Sequence, residues 1–174
     1  YIARHGDKYG PDVMGFYDRS QLPYYYALAD RFTMCDRWFA SVMGPTWPNR
    51  FYLHAGTSGG KKDNTGFTTG GPTTLWERMK DKGFVGKNYH AGAAAWFLAA
   101  YPGKALKDNP GAKLDEFFTD CKNGTLPRFS IIDPDFLAND DHPSHNVQLG
   151  QALMATLLTA VMQSPQWSRT LFVI

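Results

Sequence analysis

The chain has 174 residues, of which 43% are hydrophobic and 15% aromatic, and its formal net charge is +2. This composition builds one domain with a substantial core and excludes a disordered chain. The charge is too small to argue for nucleic acid or for electrostatic membrane binding, and no run approaches the roughly 18 consecutive apolar residues of a membrane span.

In chain order, residues 1–19 are polar and glycine-containing and read as a loop. Leu22, Tyr25, Tyr26 and Ala29 recur at helical spacing, which predicts a helix over Gln21 to Asp30 with Ser20 as N-cap and Pro23 in its first turn. The apolar, aromatic run Phe32 to Val42 predicts a buried strand, with Cys35 as a buried free thiol inside it. Thr46 to about Thr57 reads as a short helix, and Ser58 to Pro72, rich in Gly, Thr, Lys and Asn, as a long surface loop. Thr73 to Lys82 is a helix capped by Thr73 or Thr74, with Glu77 where a capping-box acid belongs and Gly83 closing it.

Phe84 to Tyr89 is a predicted strand, and the Ala-rich stretch Gly92 to Ala100 is ambiguous. A short amphipathic helix over Lys113 to Cys121 ends at Asn123-Gly124, and a short strand covers Phe129 to Ile132. Asn146 to Gln163 is the longest helix, stopped by Pro165, and Thr170 to Ile174 starts another strand. Strands alternate with helices at intervals too long for hairpins, so the expected fold is α/β with a mostly parallel sheet flanked by helices. In such sheets ligands gather at the carboxyl ends of the strands.

Gly44-Pro45-Thr46-Trp47-Pro48-Asn49-Arg50 sits at the seam between a predicted strand and a predicted helix. There, free backbone N–H groups converge and the helix dipole favours negative charge. A hydroxyl at that seam suits an oxygen nucleophile that attacks and then carries a phosphoryl group, with the N–H of Trp47 toward the phosphate. A threonine hydroxyl needs a base or a metal for that task, and the competing reading from spacing alone is that Thr46 is simply an N-cap. Asn49 and Arg50 are candidate contacts to phosphate oxygens; Arg50 is also placed to pair with Asp36.

A second cluster runs from Asp133-Pro134-Asp135 to Asn139-Asp140-Asp141-His142-Pro143-Ser144-His145. Acids and histidines at this density suit a hard divalent cation or a general acid. The competing reading is a solvated turn that caps the long helix through Asp141 or Ser144. His54 reads as packed or half-exposed rather than catalytic, and His90 as a residue at a strand end.

The run Leu28-Ala29-Asp30-Arg31-Phe32-Thr33-Met34-Cys35-Asp36-Arg37-Trp38-Phe39 leading into the Thr46 motif resembles the bacterial phosphoesterase family, which holds non-haemolytic type phospholipases C and related acid phosphatases within the alkaline phosphatase superfamily. Thr125 to Pro134, Asp140-Asp141-His142-Pro143 with Gly150-Gln151-Ala152, and Ser164 to Leu171 resemble further blocks of the same family. The resemblance implies an alkaline-phosphatase-like fold, with residues 1–174 forming a single, partial phosphoesterase domain. It implies phospholipase C-like phosphodiester cleavage, with Thr46 as nucleophile and metal contact, His142 as the acid that protonates the leaving group, and Trp47, Asn49 and Arg50 as substrate contacts. The alternatives are an acid phosphatase-type phosphomonoesterase and an inactive, truncated remnant that only binds phosphate or a partner. A divalent cation of unknown identity is expected, with most of its ligands outside this chain, in a Glu-Asn segment before Tyr1 and an acidic pair after Ile174. The expected substrate is a phosphate ester, such as a phospholipid head group, and the expected location is periplasmic or secreted.

Overall fold

The computed structural model describes residues 2–104 and 110–174. It divides into two compact units, Tyr1–Cys35 and Asp36–Ile174.

In the first unit, α1 (Ile2–Tyr9) is broken at Gly6, whose φ of 75° lies outside the helical range, and a 3-10 turn covers Pro11–Met14. The loop expected over residues 1–19 is therefore partly helical. α2 (Pro23–Arg31) starts at Pro23, with Leu22 rather than Ser20 in the cap position. Ser20 instead gives its hydroxyl and its backbone N–H to Asp18 Oδ1, which also accepts from the Gln21 N–H.

The predicted strand over 32–42 is not formed. These residues make bends and turns, and Phe32, Met34, Trp38 and Phe39 are exposed. Apolar content alone does not hold a strand, because its backbone groups need a ladder partner, and no described strand pairs with this one. Cys35 is accordingly exposed, while Cys121 is buried; both are free. The C-terminal residues 171–174 likewise lack strand pairing, although Phe172 packs against the core.

The second unit is built on a parallel sheet of order β2-β1-β3. β1 (Gly86–His90) is central, flanked by β2 (Gly111–Lys113) and β3 (Phe129–Asp133). Four helices were legible from sequence: α3 (Thr46–Ala55), α4 (Leu75–Asp81), α6 (Leu114–Asn123) and α7 (Val147–Met162). α5 (Trp96–Ala100) resolves the ambiguous Ala-rich stretch. The described order of strands and helices is an α/β fold with a parallel sheet flanked by helices.

Side chains alternate across a strand, and β3 shows it. Phe129 and Ile131 pack on a cluster made by Phe51 of α3, Trp76 of α4 and Trp96, Phe97 and Ala100 of α5. Ile132 faces the opposite cluster, with Tyr89, Phe117 and Cys121 of α6, and Leu157 and Val161 of α7. The register pairs His90 with Asp133 at the carboxyl ends of β1 and β3. No helix among the described residues is long and apolar enough to cross a membrane.

Candidate active site

The turn before α3 is braced by one side chain. Asn49 accepts a hydrogen bond from the Val42 N–H (3.0 Å), and its Nδ2 donates to the carbonyls of Val42 (3.1 Å), Gly44 (3.3 Å) and Pro45 (3.1 Å). Its amide is thereby committed to the backbone of the bend. Pro45 holds the cap position of α3, so the competing reading of Thr46 as N-cap is not what forms. Thr46 is the first helical residue and is exposed, and its hydroxyl has no hydrogen-bond partner among the described residues.

Arg50, one turn along α3, points to the sheet edge. Its guanidinium pairs with Asp133 Oδ1 rather than with Asp36, and it stacks over Trp96 (4.7 Å to the ring centroid) and Phe136 (5.6 Å). Asp133 is fully buried, and its second oxygen accepts from the Trp96 N–H (2.9 Å) and from Asn88 Nδ2 (3.0 Å). A buried carboxylate survives only when paired and hydrogen-bonded. These bonds satisfy it and tie α3, β1, β3 and the start of α5 to one point.

After β3 the chain turns through residues 134–146. Asp140, whose side chain is 1% exposed, receives the Nδ1 groups of both His142 and His145, the latter at 2.6 Å. Burial would raise the Asp140 pKa, but the hydrogen bonds from His145 and His142 outweigh it and hold the carboxyl below its ordinary value of 3.8. With Nδ1 of His142 facing a carboxylate, Nδ1 carries a proton and Nε2 is left as the working nitrogen. Asp141 adopts a left-handed φ of 59°, and its carboxylate lies against Gly150. The N-cap of α7 is Asn146, which accepts from the Gln148 N–H (3.0 Å), not Asp141 or Ser144.

Two further histidines, His54 and His90, are packed. His54 is 1% exposed and accepts from Trp76 Nε1 (3.0 Å). Burial pushes its pKa down to about 4, with the Arg50 charge adding to the effect and Asp133 opposing it. His90 bonds through Nδ1 to the Gly92 carbonyl (2.9 Å) at the end of β1.

A cleft of about 370 Å³ collects the key groups: Thr46, Trp47, Arg50, Asn64, Trp96, Phe136 and His142 line it, together with three alanines. The structure thus brings together two segments nearly a hundred residues apart in sequence. Asn49 and His90 are not among the lining residues. The Trp47 N–H, expected to face a phosphate, donates to Asn64 Oδ1 (2.9 Å). Asn64 is the residue that sequence reasoning missed; its only signal was membership of an unusually long polar loop. Among the described residues no group of three His, Cys, Asp or Glu side chains converges to hold a metal ion. The hydroxyl and imidazole present at the cleft do not hold a cation by themselves.

Comparison with known proteins places the chain in a family. A family model described as the phosphoesterase family matches residues 2–174. The chain is 37% identical over 173 residues to non-specific phospholipase C5 of Arabidopsis thaliana, covering 93% of the chain and 33% of that relative. It is 31% identical over 198 residues to phospholipase C B of Mycobacterium tuberculosis (94% of the chain, 37% of the relative). It is 30% identical over 213 residues to hemolytic phospholipase C of Pseudomonas aeruginosa (94% and 29%). The chain spans about a third of the length of the curated relatives it matches. Matched from its second residue to its last, with the Thr46 turn and the His142 segment meeting at one cleft, the chain belongs to the phosphoesterase family.

Proposed function

We propose that the protein hydrolyses phosphoric esters as a phospholipase C-type phosphodiesterase, with Thr46 as nucleophile and His142 as proton donor. The observation that supports this most is the sharing of one cleft by an uncommitted Thr46 hydroxyl and a histidine backed by a buried aspartate. The Thr46 oxygen attacks phosphorus in line as its proton passes to solvent, and the bond to the leaving alkoxide breaks. Protonated His142 gives its Nε2 proton to that alkoxide. The neutral imidazole then takes a proton from the water that attacks the phosphothreonine, the bond from phosphorus to the Thr46 oxygen breaks, and that oxygen regains a proton from solvent. Asp140 holds the ring through Nδ1 and so aims Nε2.

The names of the relatives favour a phospholipid as substrate, and the aromatic walls from Trp47, Trp96 and Phe136 suit the apolar part of such an ester. A divalent cation at Thr46 is an expectation from the family resemblance alone.

Replacing Thr46 by Ala in the intact protein tests the main reading. Turnover of a chromogenic phosphodiester falls at least about 10³-fold, and covalent phosphate trapping disappears. Unchanged turnover removes Thr46 as nucleophile. Comparing head-group diesters with simple monoesters separates phospholipase C-type from phosphatase-type activity.

A further inference from the structure

Asn64 stands in a polar loop that is nonetheless firmly seated. Three residues on, Phe67 inserts between Phe51 and Tyr101, with ring centroids at 4.8 and 5.2 Å, and its N–H donates to the Ala100 carbonyl (2.9 Å). Gly66 passes so close to α5 that a Cβ there would lie 2.6 Å from the Ala99 carbonyl oxygen. The loop is fastened on its core side, and this delivers Asn64 to the first turn of α3.

There the Trp47 N–H donates to Asn64 Oδ1 at 2.9 Å. A backbone N–H meets only an acceptor, so chemistry fixes which way the amide lies: carbonyl toward Trp47, NH₂ away from it. No described residue accepts from Nδ2, and the side chain lines the cleft together with Thr46 and His142. Arg50, the one permanent cation in the lining, is already paired with Asp133 through Nη2. A phosphoryl group seated at Thr46 gains from a further donor in the lining.

We infer that Asn64 is a substrate-binding residue whose Nδ2 donates to a non-bridging oxygen of the phosphate ester attacked by Thr46. The inference rests on the reading of this cleft as the phosphoryl site. The helix N-terminus then acts on the substrate through the amide: the Trp47 N–H polarises the Asn64 carbonyl and strengthens its N–H groups as donors.

Two variants of the intact protein test it. Asn64→Asp keeps an acceptor for the Trp47 N–H but sets a negative oxygen where the donor was; Asn64→Ala removes both. Each is assayed for kcat/KM on a chromogenic phosphodiester, for competitive inhibition by inorganic phosphate, and for thermal melting. The expected result is a loss in kcat/KM of about 10²-fold in both, phosphate inhibition weakened at least about 10-fold, and an unchanged melting temperature for Asn64→Asp. Wild-type kcat/KM and phosphate affinity in either variant overturns the inference. Thr46→Ala, run alongside, keeps the two claims apart. If it abolishes turnover while Asn64→Asp does not, only the role of Asn64 falls; if it leaves turnover intact, the reading of the cleft falls as well.

Discussion

Two histidines on this chain have opposite environments, and their chemistry differs accordingly. His142 is 60% exposed in its side chain and braced by Asp140; His54 is sealed among Trp76, Trp96, Phe97 and Tyr101. Asp140→Asn leaves His142 in the cleft but removes the negative charge that orients it. Diester turnover then falls about 10²-fold or more, with circular dichroism unchanged. His54 supplies a stability effect rather than catalysis. Its folded-state pKa is depressed from about 6.5 to about 4, so the unfolded chain binds a proton first as pH falls. The stability it contributes is complete above about pH 6.5 and is lost as pH drops through about 4, amounting to about 3 kcal/mol over the whole window. Urea titrations of the wild type and His54→Phe at pH 7 and pH 4.5 check this: the variant loses most of that pH dependence.

At the scale of elements, local signals were readable and partner-dependent ones were not. α4 is announced by Thr74 and Glu77, and the capping box forms as the residues imply, with the Thr74 N–H donating to Glu77 at 2.7 Å. α6 stops where Asn123-Gly124 says it should, with Gly124 left-handed at φ 67°. A strand is different, because it exists only where another strand meets it. Residues 32–42 and 170–174 have the right composition and find no ladder among the described residues, whereas β2, three residues long, forms because β1 lies beside it. α7 carries a further constraint that no pattern shows. Gly150 in its first turn touches the Asp141 carboxylate, so a methyl group there has no room. In an open helix Gly→Ala stabilises by about 1 kcal/mol. Here the Gly150→Ala methyl overlaps Asp141 Oδ1, so the Asp141 carboxylate must swing away, and the gain measured by urea denaturation drops below that value.

For the molecule as a whole, the candidate site was legible where function lies within one short motif and hidden where it depends on distant pairing. Thr46 and His142 stand in dense local motifs. The bond between Arg50 and Asp133 spans 83 residues, and nothing in either neighbourhood announces it. Asn64 reaches Trp47 because Phe67, partly buried, packs on Phe51 and the core around it. Removing Asp133 tests how much rests on that long-range tie. Asp133→Ala strands the Arg50 charge against aromatic rings and lowers unfolding free energy by about 3–5 kcal/mol, measured by urea denaturation.

Asp133 also accepts the Trp96 amide hydrogen beneath the cleft. That proton can exchange with deuterated solvent only when the sheet edge and α5 come apart together, so its exchange rate reports on opening of the whole unit. The exposed residues 62–65 of the polar loop are not held this way, whereas the Phe67 amide is bonded to the Ala100 carbonyl. Deuterium labelling therefore divides the cleft into a slow floor and a faster rim at Asn64.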